Sequence, residues 1–212
     1  MKKTYCLWLY IILTLSGCYK TSDQSNEIVA WGDSLTRGSK SVSFTRFLGL
    51  LYSIKALNEG IGGETSTQIK DRMVSQTKFY KNPTIIWAGR NNSNDSLTVL
   101  RDIATLVSKL NHTHYIIIGI LNGDNKNETK GHPGYNSILA INNKLSTIYG
   151  PNYLDIRSYL ISRYNPKIET DVKNYYDDVV PSSFRNDYLH LNDVGNAIVA
   201  QKIHENIHIL IN

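Results

Sequence analysis

"IVAWGDSLTRG", residues 28–38, carries an abrupt change of character. The apolar run 27–31 reads as a strand, and it stops at a cluster of Gly32, Asp33, Ser34 and Thr36, residue types that build turns. Turn chemistry accounts for any one of them taken alone. An isolated Ser is most often a turn or helix-cap residue, and Asp33 suits holding such a turn through backbone hydrogen bonds. The other reading is that the strand delivers one hydroxyl, Ser34, to the lip of a pocket. The choice rests on what the rest of the chain brings to the same place.

Downstream, short β-branched runs alternate with segments of helical period. A helix is predicted over 43–52 with Phe44, Phe47, Leu48 and Leu51 on one face, then a strand over 53–58. A helix over 65–74 starts at Thr65 or Ser66 as its cap, and "PTIIWAG" (83–89) is apolar throughout, as a strand covered on both faces requires. Leu97, Leu100, Ile103, Leu106, Val107 and Leu110 place an amphipathic helix over 96–110. A buried strand (114–120), a helix (134–150) stopped by Gly150 and Pro151, and a short strand (152–156) follow. Residues 161–186 show no clean period and read as a surface excursion near the site. The chain closes with a helix within 191–209, capped by Asn192, with Val194, Ile198, Val199, Ile203 and Ile207 facing inward. This alternation predicts one domain over 27–212, a three-layer α/β/α sandwich on a five-stranded parallel sheet.

The beginning of the chain is of another kind. Lys2 and Lys3 precede an apolar run from Tyr5 to Leu15, too short for a comfortable membrane span, and "LSGC" (15–18) follows. That pattern is an export signal over 1–17, an uncleaved anchor being the alternative. "LSGC" resembles a bacterial lipobox, which implies lipid on Cys18, a polar tether over 18–26, and anchoring to the envelope, with Tyr19 leaning toward the outer membrane facing the periplasm. Cys6 falls within the signal, so the folded part holds no free thiol, and cysteine catalysis and cysteine-ligated zinc drop out. The net charge is +5, but the basic residues are scattered, so no nucleic-acid stripe forms.

In open parallel sheets ligands bind beyond the carboxyl ends of the strands. Those ends here carry "GDSLT" (32–36), "NEGIGGETS" (58–66), "AGRNN" (88–92) and "ILNGDNK" (120–126), and "NDYLHLN" (186–192) sets an Asp and a His three residues apart before the last helix. These blocks resemble those of the GDSL, or SGNH, hydrolases, over essentially all of 27–209. The resemblance implies a flavodoxin-like sandwich with Ser34 as nucleophile, Asp187 and His190 completing a triad, and an oxyanion hole of the Ser34 amide, Gly63 and Asn91. Gly63 matches by standing five residues after Asn58. The third block departs from the usual G-x-N-D by ending in Asn92, which makes loop geometry and substrate preference less predictable.

The chemistry runs parallel to the resemblance. A serine hydroxyl needs a base within reach; histidine is the side chain suited to that role near neutral pH, which makes His190 the candidate, and Asp187 would fix its tautomer. Each residue also has a plainer role: Gly62 and Gly63 a tight turn, Asn91 and Asn92 turn formers, Asp187 and His190 a helix-entry pair. Taken together these plain roles must all hold at once, which favours a hydrolase. Arg90, at the rim with Asn92, is either a solvent-exposed loop residue or a contact for an anionic or hydroxyl-rich part of the substrate. His112, His114 and His132 lack a carboxylate at ligand spacing, so neither metal nor other cofactor is expected.

For substrate, loops rich in Asn, Ser, Thr, Lys and Tyr, with Tyr164, Tyr175 and Tyr176 in the excursion, suit a sugar surface better than an acyl trench. "GIGGETSTQI" and "PSSFRNDYLHLN" also resemble SGNH domains of bacterial and phage polysaccharide-modifying proteins. The expectation is a monomeric O-acetylesterase acting on a surface glycan or peptidoglycan. A lipid esterase or lysophospholipase, a thioesterase-like enzyme and a non-catalytic glycan-binding lipoprotein are the alternatives.

Overall fold

The computed structural model describes residues 27–211; the expected signal segment 1–17 and the tether 18–26 with Cys18 lie outside the described residues. Strands β1 (Ile28–Gly32), β2 (Ala56–Gly60), β3 (Thr84–Trp87), β4 (Tyr115–Ile118) and β5 (Tyr153–Leu154) form one sheet in the order β2-β1-β3-β4-β5. Every pairing is parallel. In this order the chain leaves β1 in one direction and returns on its other side, so the switch point lies between β1 and β3, where open sheets place their ligands.

The strands read as unbroken apolar runs because successive side chains feed two separate cores. Ile28, Ala30, Ile85, Trp87, Ile116 and Ile118 pack on one face, with Phe44 and Leu48 of α2 (Phe44–Tyr52), Leu160 of α6 (Ile156–Ser162) and Val199 and Ile203 of α8 (Asp193–Glu205). Val29, Trp31, Ile86, Ala88 and Ile117 pack on the other, with Ile69 and Met73 of α3 (Ser66–Ser75), Ile103 and Leu106 of α4 (Ser96–Lys109) and Ile141 and Leu145 of α5 (Pro133–Tyr149). The structure is therefore the expected α/β/α sandwich.

Several expected details shift. β2 begins at Ala56 instead of residue 53, because Ser53 turns left-handed (φ 58°) to end α2 and the Ile54 amide still bonds the Leu48 carbonyl. Leu51 is 54% exposed: the buried stripe of α2 is Phe44 and Leu48, four residues apart, with Phe47 beside it. Leu97 is 80% exposed and Val194 54%, both in first turns that overhang solvent. In α8 the inward position is Gly195, where any Cβ would stand 2.5 Å from the Phe184 carbonyl oxygen, and the helix ends at Glu205 before a 3-10 turn.

Residues 161–186 are more than a surface excursion. They contain α7 (Glu169–Tyr176), whose buried side chains, Asp171 and Asn174, are polar. Buried Asp171 accepts hydrogen bonds from the Asn165 and Ser183 amides and from the Ser182 and Ser183 hydroxyls. Arg157, also buried, joins Asn122 and Asp178 beneath it. Hydrophobic periodicity is blind to a segment docked by carboxylates and amides.

Candidate active site

β1 ends where Gly32 lets two groups crowd in: a Cβ there would lie 2.5 Å from the Trp87 carbonyl oxygen and closer still to the Thr36 hydroxyl. Asp33 then caps the short α1 (Ser34–Arg37), its Oδ1 accepting from the Leu35 amide at 2.9 Å. The cap turns Ser34 outward at the end of the strand. Its Oγ lies 3.0 Å from Nε2 of His190.

The loop 185–192 presents that imidazole. Asp187 uses both oxygens: Oδ1 accepts from the Leu189 and His190 amides at 2.8 and 2.7 Å, folding the turn, and Oδ2 meets His190 Nδ1 at 2.8 Å. Burial alone would raise the Asp187 pKa, but the two amides and the ring outweigh it and hold the carboxyl down at about 2. Behind the turn, Arg185 is 4% exposed; its guanidinium donates to the carbonyls of Val180 and Asp187 and to the Asp124 carboxylate, beyond β4. Ser34, His190 and Asp187 thus form one hydrogen-bonded line at the carboxyl edge of the sheet.

In the turn after β2, Gly63 adopts φ +82° in an exposed position, and its amide meets no protein acceptor among the described residues. Asn91 sits in a 3-10 turn (Arg90–Asn92) beyond β3; its Nδ2 donates to the Glu64 carbonyl at 2.8 Å and lies 3.4 Å from Asp33 Oδ2. Asn92 does not face the site. Its carboxamide accepts from the Ser66 amide and donates to the Ser66 hydroxyl, both at 3.0 Å, and that hydroxyl donates to buried Asp102 at 2.7 Å. Asn92 therefore ties the Asn91 turn to the start of α3.

Arg90 departs from the expectation of a solvent-exposed loop residue. It is 10% exposed, and its Nη2 meets both oxygens of Glu128, at 2.9 and 3.1 Å. Asp33, 1% exposed, is pushed up to about 6 by burial, against the opposing pull of the Leu35 amide, Arg90 and His190. Of the histidines, His112 accepts from the His114 amide, and no group of three or more potential metal ligands occurs among the described residues.

Sequence reasoning did not single out Arg185, Asp124, Glu128 or Tyr188. Arg185 and Tyr188 lie within the quoted "PSSFRNDYLHLN", and Asp124 within "ILNGDNK", but nothing in a sequence marks which polar loop residue becomes buried. A cavity of about 560 Å³ opens beside Asn91 and Leu189, lined also by Arg90, Asn127, Glu128 and Tyr188. A larger one, about 670 Å³, runs along α2 and β2 and contains none of these groups; chemistry, not size, marks the former as the candidate.

Known proteins can now be set beside this geometry. No family model matches the chain. Over 111 residues it is 31% identical to the tail spike protein of Salmonella phage epsilon15, a stretch that makes up 50% of this chain and 10% of that one, so the chain corresponds to about a tenth of this relative's length. The acetyl xylan esterase AlAXEase superposes with a TM-score of 0.66 at 18% identity, covering 85% of this chain and 99% of that one. A member of the lipolytic protein G-D-S-L family from Veillonella parvula DSM 2008 gives 0.61 at 16%, covering 84% and 96%. The fold is that of the GDSL, or SGNH, esterases. In this sandwich, Ser34, the Asn91 turn and the Asp187–His190 loop converge where the strand order reverses, beyond β1 and β3.

Proposed function

We propose that the chain is a serine esterase that removes O-acetyl groups from a cell-surface or cell-wall glycan. The observation that carries this reading is the line Ser34 Oγ–His190–Asp187, with contacts of 3.0 and 2.8 Å. In the proposed reaction Nε2 of His190 takes the Ser34 proton as Oγ bonds to the ester carbonyl carbon. Asp187, ionised at every working pH, fixes the tautomer with Nδ1 protonated and stabilises the imidazolium. The amides of Ser34 and Gly63 and the Asn91 carboxamide are the donors for the oxyanion. As the carbonyl re-forms, the ester C–O bond breaks and the imidazolium returns its proton to the departing sugar hydroxyl, leaving acetyl-Ser34. Water then attacks, His190 takes its proton, and acetate leaves as the proton returns to Ser34. No cofactor enters.

The preference for a glycan rests on the polar lining of the cavity beside Asn91, and on likeness to an acetyl xylan esterase and a phage tail spike. The same reading has the enzyme exported and held to the envelope by lipid on Cys18; among the described residues no helix is long and apolar enough to cross a membrane.

Labelling by a serine-directed fluorophosphonate, run with acetate release from acetylated xylan and acetylated peptidoglycan, tests the proposal. Labelling lost in Ser34→Ala and release of acetate are expected. No labelling would leave a glycan binder, and a rate optimum at p-nitrophenyl octanoate would replace the sugar acetate with a lipid ester. Radiolabelled palmitate incorporated by the full chain but not by Cys18→Ala tests the anchor.

A further inference from the structure

The cavity beside Asn91 has an unusual charge balance for a site that contains an arginine. One cation and one anion line it, Arg90 and Glu128, and they are paired with each other at 2.9 Å; the other polar groups on its wall are neutral amides and hydroxyls, among them Asn91, Asn127 and Ser137. Both members of the pair are nearly buried, 10% and 13% exposed, so their attraction is little screened and the guanidinium presents almost no net field to a ligand. Glu128 is itself fixed by the Gly123 amide at 2.6 Å. The ring of Tyr188, 50% exposed, rests against that same Gly123, where a Cβ would come within 2.9 Å of the ring.

A neutral wall of donors and acceptors with one exposed aromatic face suits a ligand that carries many hydroxyls, has an apolar C–H face and bears no charge. An acidic sugar would lose hydration to its carboxylate and find no free cation in return. An alkyl tail would strip water from the amides and hydroxyls without replacing their hydrogen bonds. Resting on the esterase reading above, we infer that the cavity holds the uncharged pyranose backbone that carries the acetyl ester, and that Glu128, by neutralising Arg90, excludes acidic glycans. Glu128 is then a specificity residue that neither the Ser34 line nor the expected oxyanion donors include.

Two measurements test this. Calorimetric titration of the wild-type protein with xylohexaose and with hexagalacturonate compares neutral with acidic backbones directly, and binding at least tenfold tighter for xylohexaose is expected. Equal or tighter binding of the galacturonate, or no binding of either, overturns the inference. The second compares kcat/KM on acetylated xylo-oligosaccharides and acetylated oligogalacturonides in the wild type and in Glu128→Gln, which keeps a carbonyl oxygen for Gly123. The neutral-to-acidic ratio should fall about tenfold in the variant, chiefly through a lower KM for the acidic substrate, and the fall should shrink in high salt. An unchanged ratio in a folded variant overturns it. Turnover of p-nitrophenyl acetate by the wild type reports separately on the esterase reading: its absence beside selective xylohexaose binding would sink the chemistry and leave the sugar site standing.

Discussion

The guanidinium of Arg185 donates to the backbone carbonyl of Asp187 at 2.8 Å, and the same side chain grips Asp124 at 2.9 Å. The turn that carries Asp187 and His190 is thereby fastened to the loop beyond β4, at the sheet edge that also presents Ser34. Arg185 acts here as a positioning residue. Arg185→Lys keeps the charge and loses the planar fork that reaches several acceptors at once. We expect kcat for p-nitrophenyl acetate to fall at least tenfold with KM nearly unchanged, since ångström-scale displacement of a base costs about that much or more. A purely structural role would instead lower the urea midpoint while the folded fraction kept its kcat.

Asp187 holds the His190 ring through Oδ2 and its own turn through Oδ1. Asp187→Asn should reduce kcat by up to about 10⁴-fold, the loss that the same change causes in a serine-protease triad. Steady-state kinetics on p-nitrophenyl acetate check this, and a loss below tenfold would remove Asp187 from the proposed reaction.

Asn91 Nδ2 donates to the Glu64 carbonyl at 2.8 Å and to Asp33 Oδ2 at 3.4 Å, and the second, longer contact is the one an ester oxygen would displace. If it is an oxyanion donor, Asn91→Ala lowers kcat by about 10²–10³-fold and moves KM little. A change confined to KM would make it a ground-state binding group instead.

Asp33 gives the protein a pH-dependent stability with an unusual sign. Its carboxyl, pushed up to about 6 by burial, holds a proton in the folded protein that the unfolded chain releases near 3.8. The native state therefore binds more protons across that window, and this contribution to stability is lost as pH rises from about 4 to above 6, by up to about 3 kcal/mol. Asp187 works the other way at lower pH: held at about 2, it stabilises above 3.8 and the contribution fades as pH falls through 2. Asp33→Asn keeps an oxygen for the Leu35 amide. Its urea-unfolding free energy relative to wild type should rise between pH 4 and pH 7, and a constant difference would contradict the assignment.

Asn92 stands where the resembled family usually has Asp, and its partners explain why Asn fits. Ser66 gives its hydroxyl proton to Asp102, so that hydroxyl oxygen needs a donor, which the Asn92 amide supplies. Asn92→Asp would set an acceptor against an acceptor and should cost about 1–3 kcal/mol. Asp102→Asn, which frees the Ser66 proton, should recover part of that loss in a double-mutant cycle followed by urea unfolding. Strict additivity would dissolve the proposed chain.

Much of this molecule is legible along the chain. Strands fed by two cores must be apolar at successive positions, so β1, β3 and β4 declare themselves, and the caps Thr65 and Asn192 mark the starts of α3 and α8 by local chemistry alone. "GDSLT", "GRNN" and "DYLH" are likewise local patterns, and they name the residues that gather at the site. Other features depend on contacts between distant segments. The docking of 161–186 through Asp178 on Arg157 and Asn174 on Asp124, the anchoring of the His190 turn by Arg185 on Asp124, and the silencing of Arg90 by Glu128 each join polar side chains from separate segments. Polar loop residues read alike along a chain whether water or a partner satisfies them, because hydrogen bonds between loops leave no period. Which of them are buried and paired is settled only when the sheet brings the loops to one edge.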